Sequence, residues 1–152
     1  MGSRPEVDPA YLRPGTYIDS DHSEVIRFSE RVAGQVDAQG AGVERMEGPG
    51  ASSPAPTTLS VEEIRAKAVA LYYAVRDDFR YEPYRIDLNS EAMKASSLLE
   101  RGYGICIAKA VLMAAAARVQ GSPARLGFAD VRNHLTTERL RRSMETDLFV
   151  YH

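Results

Sequence analysis

The sequence contains one cysteine, Cys106, in a setting that favours a reactive thiol. It follows the Gly-Tyr-Gly-Ile segment 102–105 and precedes an alanine-rich apolar run that reaches Ala117. Two closely spaced glycines before a helix-forming run predict a tight turn that places Cys106 in the first turn of a helix. Partial positive charge and unpaired N–H groups at a helix N-terminus stabilise a thiolate, so a free-thiol pKa of about 8.5 can fall to roughly 3.5–7.5. Cys106 is therefore the candidate nucleophile.

A nucleophilic cysteine needs a base that accepts its proton and returns it to the leaving group. The chain offers three histidines, His22, His134 and His152. His22 lies in a polar stretch far upstream, His134 follows a predicted strand, and His152 ends an apolar segment with strand character. Because a strand fixes the direction of the ring, His152 is the preferred base and His134 the second candidate.

Simpler interpretations exist for each of these residues. A lone cysteine beside an alanine-rich helix is often a small core residue, and a histidine at the end of a chain is often a frayed surface residue. Tyr81 and the other tyrosines fit amphipathic residues at the edge of a core. One cysteine and three scattered histidines lack the paired spacing of a structural zinc site, and no glycine-rich phosphate loop is found. The sequence predicts no metal and no cofactor.

Length and composition narrow the class of protein. The chain has 152 residues, which fits one domain, and its formal net charge of −2 argues against nucleic acid or an anionic membrane as the default partner. One cysteine excludes an intramolecular disulfide and fits a reducing compartment. No apolar stretch approaches the roughly 18 residues of a membrane span, and the first residues lack a signal-peptide pattern. These features predict a cytoplasmic protein.

Composition divides the chain into three parts. Residues 1–33 form an N-terminal segment with a short predicted helix over Glu24–Val32. Residues 34–60 are rich in Gly, Ala, Pro and Ser and predict a flexible low-complexity insertion. Residues 61–152 carry the helical and strand patterns of a folded core.

The core alternates predicted helices with extended segments. A capping box at Ser60 and Glu63 opens the first helix, which is expected to end near Phe79. The later elements predicted are an extended segment over Arg80–Arg85, a helix from Ser90 to Leu99 with Gly102 as its stop, a helix from Cys106 to Gly121, a strand over Ala124–Ala129, a helix over Thr136–Met144 and a strand from Asp147.

Three segments together resemble a bacterial transglutaminase-like protein of the papain-like cysteine-enzyme superfamily. They are the run into the cysteine at 99–106, the segment 121–135 and the final segment 147–152. The resemblance covers about residues 62–152. It implies an α+β fold with helices packed on an antiparallel sheet. In the family the sheet continues past the histidine that corresponds to His152, so the sheet is expected to be incomplete here.

The resemblance also implies a Cys-His-Asp triad, with Cys106 as nucleophile and His152 as base. No residue follows that can take the aspartate's role, and Asp147, which precedes the histidine on the same strand, is not assigned to it. The implied reaction is hydrolysis or acyl transfer at the amide bond of a peptide or protein. The alternatives are a non-catalytic truncated fragment, since the third residue and further strands are missing, or a binding module of the same fold.

Overall fold

The computed structural model describes residues 8–40, 60–135 and 137–150. Within these ranges helices dominate, and short strands pair into two small sheets. In chain order the elements are a 3-10 helix at Pro9–Tyr11, α1 (Ser23–Gly40), α2 (Val61–Asp77), β1 (Arg80–Tyr81), α3 (Ala95–Arg101), β2 (Tyr103–Gly104), α4 (Cys106–Val119), β3 (Val131–Arg132), α5 (Glu138–Met144) and β4 (Leu148–Phe149). The class is the α+β class predicted from the sequence, with two strands in each described sheet.

Helix α4 lies at the centre of the core. It is apolar around most of its circumference, which is typical of a helix with neighbours on several sides. Helices α1, α2 and α3 all pack against it, and its alanines allow a close approach. The side chains that they bury in one cluster with α4 are Val25, Phe28, Val32, Leu71, Val75 and Leu98.

A buried polar contact joins α1 to the end of α4. Ser29 is fully buried, and its hydroxyl donates a hydrogen bond to the Ala116 carbonyl at 2.8 Å. Gln120 Nε2 donates to the carbonyl and the hydroxyl oxygen of Ser29, each at 3.1 Å. Because buried polar groups are costly without partners, this network favours one position of α1 along α4.

Helix α1 is longer than the helix predicted at Glu24–Val32, because it continues to Gly40. The segment 34–60, predicted to be flexible, therefore begins inside a helix, and its residues 41–59 lie outside the described residues. The extension is explained by packing of α1 against α2, where Lys67 Nζ lies 3.5 Å from Asp37 Oδ1. Tertiary contact of this kind outweighs the weak helix propensity of the composition.

Helix α2 begins at the predicted capping box. The Ser60 hydroxyl accepts a hydrogen bond from the Glu63 N–H at 3.1 Å, and the Glu63 carboxylate accepts one from the Ser60 N–H at 2.7 Å. The helix ends at Asp77, close to the expected position. The local pattern was sufficient here because both partners of the cap lie within four residues.

Helix α3 begins at Ala95, later than the predicted start at Ser90. Its N-terminus is capped from a distant part of the chain, since Asp19 accepts hydrogen bonds from the Ser96 N–H at 3.3 Å and the Ser96 hydroxyl at 2.5 Å. The helix ends as predicted at Gly102, whose φ of 69° is the left-handed conformation that glycine adopts readily.

Strands β1 and β2 run parallel, with Arg80 opposite Tyr103 and Tyr81 opposite Gly104. The sheet beside α4 is therefore not antiparallel, which corrects the orientation expected for it. A crossover through α3 separates the two strands, and such a crossover is the connection that parallel pairing requires.

Strands β3 and β4 pair antiparallel, with Val131 opposite Phe149 and α5 in the connection between them. The predicted strand over Ala124–Ala129 is wrong, because that segment pairs with no strand among the described residues. Its apolar residues at alternate positions, Ala124, Leu126 and Phe128, fit an extended chain, but a ladder also needs a partner strand. The predicted helix before β4 is present as α5, capped by the Thr137 hydroxyl.

Gly104 lies where β2 passes between α3 and α4, and we expect Gly104→Ala to destabilise the fold. An added Cβ would lie 2.9 Å from Leu98 Cδ1 and 3.2 Å from Ala108 Cβ, and both neighbours are buried. Overpacking of this kind costs about 1–3 kcal/mol of unfolding free energy. Urea unfolding followed by circular dichroism measures the change.

Gly127→Ala is the matched control, since a Cβ at Gly127 meets nothing within 4 Å. Its unfolding midpoint should remain close to that of the unmodified chain. Equal midpoints for the Gly104→Ala and Gly127→Ala variants would show that the β2 contact tolerates a side chain.

Candidate active site

Cys106 is the first residue of α4, as the sequence predicts. Helix α3 ends at Gly102, β2 follows at once, and Ile105 precedes the new helix without a side-chain cap. The first N–H groups of α4 are therefore left for other acceptors. The backbone N–H groups of Cys106 and Ile107 hydrogen bond to the cysteine sulfur, and they lower the pKa of its thiol.

Burial acts on the same thiol in the opposite direction and outweighs these hydrogen bonds. The side chain of Cys106 is partly buried, and the loss of hydration raises the pKa of the thiol above its ordinary value. The predicted helix-terminus geometry is confirmed, but the predicted lowering of the pKa is wrong. The protonated thiol is consequently the resting form at neutral pH, and its attack on a substrate requires a base.

A cavity of about 490 Å³ opens beside the cysteine. One wall comes from Cys106 and from Tyr81 at the end of β1. The other comes from β3, the loop after it and α5, through Val131, Arg132, Asn133, His134, Leu135 and Leu140. The cavity therefore combines a thiol, a phenol and an imidazole with apolar surface, which is typical of a small-molecule or peptide site.

A second cavity of about 240 Å³ also reaches Cys106. Its other lining residues are all apolar or glycine, and they come from α4 and from the segment before β3: Ile107, Ala110, Leu126, Gly127 and Phe128. The cysteine thus lies between a mixed cavity and an apolar one.

The three histidines differ in their positions. His134 lines the larger cavity together with Cys106. His152, the predicted base, lies outside the described residues, so its role stays a prediction. His22 lies at the start of α1, where its Nδ1 accepts a hydrogen bond from the Glu24 N–H at 3.3 Å. His22 therefore serves as a local cap of the first turn of α1.

Asp147 is held by Arg132 of β3. Its Oδ2 lies 2.9 Å from Arg132 Nη1, and both side chains are largely exposed. Asp147 joins β3 to the segment before β4, since its backbone carbonyl also accepts a hydrogen bond from the Asn133 N–H at 2.8 Å. These contacts give Asp147 a structural role and are consistent with leaving the third triad position unassigned.

Tyr81 is the site residue that sequence reasoning missed. The sequence predicts an amphipathic residue at the edge of the core. In the structure about half of the Tyr81 side chain is exposed, and it lines the 490 Å³ cavity together with Cys106. The pairing of Tyr81 with Gly104 brings the two together. The only local signal was the extended segment over Arg80–Arg85, because a parallel pairing across a helix leaves no mark on the sequence.

Within residues 8–40, 60–135 and 137–150, no group of three His, Cys, Asp or Glu side chains could hold a metal ion. None of the helices described is long and apolar enough to cross a membrane.

Comparison with known families gives a match over most of the described core. The family model described as the transglutaminase-like superfamily matches residues 54–148, more than half of the chain. The matched range includes Cys106, Tyr81 and His134 and stops before His152. No curated protein and no solved structure matches the chain.

The thiol chemistry of Cys106 can be measured directly because it is the only cysteine. We expect the rate of alkylation by iodoacetamide to keep rising with pH beyond about 8.5, where an ordinary thiol is half ionised. The reason is the burial that raises the pKa of this thiol. Intact-mass spectrometry of timed samples gives the rates, with glutathione as the reference thiol. A plateau that is already reached at neutral pH would contradict this expectation and indicate a resting thiolate.

Proposed function

This chain belongs to the transglutaminase-like superfamily, and from that premise we propose that it is a papain-like cysteine enzyme that acts on amide bonds through a thioester on Cys106. The position of Cys106 carries the proposal. It is the first residue of α4, it lies within the matched range, and it forms part of the wall of a 490 Å³ cavity. A nucleophile in this position has backbone N–H donors at its sulfur and a cavity with room for substrate.

In the proposed reaction a base takes the thiol proton as the sulfur attacks the amide carbonyl carbon. A C–S bond forms and the π electrons of the carbonyl move to its oxygen. When the carbonyl re-forms, the C–N bond breaks and the base returns the proton to the departing amine. Water or an acceptor amine then takes the acyl group from the thioester. The raised pKa of the Cys106 thiol favours this base-assisted attack over a preformed thiolate.

We propose His152 as the base, as the family resemblance implies. Its place in the sequence supports this choice, because His152 comes three positions after the end of β4. Strand β4 pairs with β3, and β3 lines the 490 Å³ cavity together with Cys106.

His134 is the second candidate for the base. It lines the 490 Å³ cavity with Cys106, and its ring is exposed there. It follows β3 in a loop, whereas a strand holds a side chain in a fixed direction. Substitution of each histidine separates the two candidates.

The substrate class proposed is the amide of a peptide or protein, with either water or an amine as acceptor. Both cavities at Cys106 offer apolar surface, and the larger one adds polar groups from the loop after β3. A single thiol that is needed in reduced form fits a reducing compartment, so we propose a cytoplasmic location.

p-Nitrophenyl acetate is a general acyl donor, and we expect it to acetylate Cys106. His152→Ala should slow this acetylation by about 10²-fold or more, because a positioned base contributes about 10²–10⁴ in rate. His134→Ala should leave the rate close to that of the unmodified chain. Intact mass gives the rate, and peptide mapping gives the position of the acetyl group.

Cys106→Ala and His22→Ala are the controls for this experiment. The first should abolish acetylation, and the second should have no effect because His22 lies at the start of α1. A loss of rate in His134→Ala but not in His152→Ala would transfer the role of base to His134. A folded chain that is never acetylated at Cys106 would favour the binding-module alternative.

A further inference from the structure

Tyr81 is held next to the turn that presents the cysteine. It is the last residue of β1 and pairs with Gly104, two positions before Cys106. The Glu82 N–H donates to the Gly104 carbonyl at 3.2 Å and the Arg80 N–H donates to the Gly102 carbonyl at 3.1 Å, so hydrogen bonds flank Tyr81 on both sides. The backbone of Tyr81 is thus fixed against the start of α4.

The side chain of Tyr81 opens onto the 490 Å³ cavity that Cys106 also lines. Its exposed fraction is 51%, so solvent or a bound molecule can reach it. Its hydroxyl makes no hydrogen bond to any other residue that the structure describes. A phenol O–H is both a donor and an acceptor, and here that capacity is available to a ligand.

Tyr81 and Cys106 lie close enough for a charge on one to affect the pKa of the other. Burial raises the pKa of the Tyr81 phenol above its ordinary value, and ionisation of the Cys106 thiol would raise it further. The phenol therefore keeps its proton at neutral pH, where it can donate a hydrogen bond.

Acyl transfer at Cys106 needs a hydrogen-bond donor for the carbonyl oxygen of the substrate as well as donors for the sulfur. The N–H groups of Cys106 and Ile107 already hydrogen bond to the sulfur. When the sulfur attacks a carbonyl, negative charge moves to the carbonyl oxygen. Tyr81 lies on the same wall of the cavity as Cys106, and a side-chain donor there can stabilise that charge, as in other oxyanion sites.

We propose that Tyr81 is a further catalytic residue, whose phenol O–H donates a hydrogen bond to the oxyanion that forms when Cys106 attacks an acyl carbonyl. This inference rests on the proposed function, because it requires acyl transfer to the thiol. No proton leaves Tyr81 in the step. The C–S bond forms, the carbonyl π pair moves to oxygen and accepts the hydrogen bond, and the pair returns when the leaving group departs.

Two probes of the same thiol separate the role of Tyr81 from general effects on Cys106. p-Nitrophenyl acetate acetylates the thiol through an oxyanion and releases p-nitrophenolate. Iodoacetamide alkylates it by displacing iodide at a saturated carbon, and no oxyanion forms. Tyr81→Phe should lower the acetylation rate by about 10²-fold, the usual effect of removing one oxyanion donor, and leave alkylation unchanged.

Tyr103→Phe is the matched control, because Tyr103 lies on the neighbouring strand β2 and lines a different cavity. Both rates should stay unchanged in that variant. Unfolding midpoints of the two variants should match, since each keeps its aromatic ring.

Three results would overturn the inference. If the unmodified chain and Tyr81→Phe are acetylated equally fast, the phenol does not act, while the proposed function stands. If acetylation and alkylation fall together in Tyr81→Phe, Tyr81 affects the thiol or the fold and not the oxyanion. If the unmodified chain is not acetylated at Cys106, the proposed function fails and this inference fails with it.

Discussion

The close packing of β2 between α3 and α4 is the constraint on which the site depends. At Gly104 the backbone passes so near to Leu98 and Ala108 that a Cβ has no room. The chain can therefore leave α3, form two residues of strand and enter α4 within a few residues. That short path sets the direction in which Cys106 enters the helix, and it gives β1 an edge on which to pair.

The hydrophobic core holds α4, and with it Cys106, in place. Helix α4 is surrounded by α1, α2 and α3, so its axis is held on three sides and its first residue cannot shift without disturbing buried contacts. The position that makes Cys106 well placed also removes part of its hydration. The thiol is held by N–H groups yet keeps its proton, since burial is the stronger effect. Such a site suits a nucleophile that a base activates only during the reaction.

Local patterns in the sequence predicted those features that depend on neighbours in the chain. The capping box at Ser60, the stop at Gly102 and the helix start at Cys106 are all settled within a few residues, and all three are confirmed. The start of α3 was wrong because its cap, Asp19, comes from a distant segment. The position of Tyr81 beside Cys106 was missed for the same reason, since it depends on a parallel pairing that crosses α3. Desolvation of the thiol depends on the packed fold as a whole, and its effect on the pKa could not be read from the turn.

The central claim is that Cys106 carries a thioester during turnover of an amide. The most direct measurement is peptide mapping by mass spectrometry after the chain is mixed with a protein or peptide amide and stopped with acid. The account predicts an acyl group on the peptide that contains Cys106, and neutral hydroxylamine should remove it. Amide turnover with an acyl group on another residue, or with none on Cys106, would contradict the account.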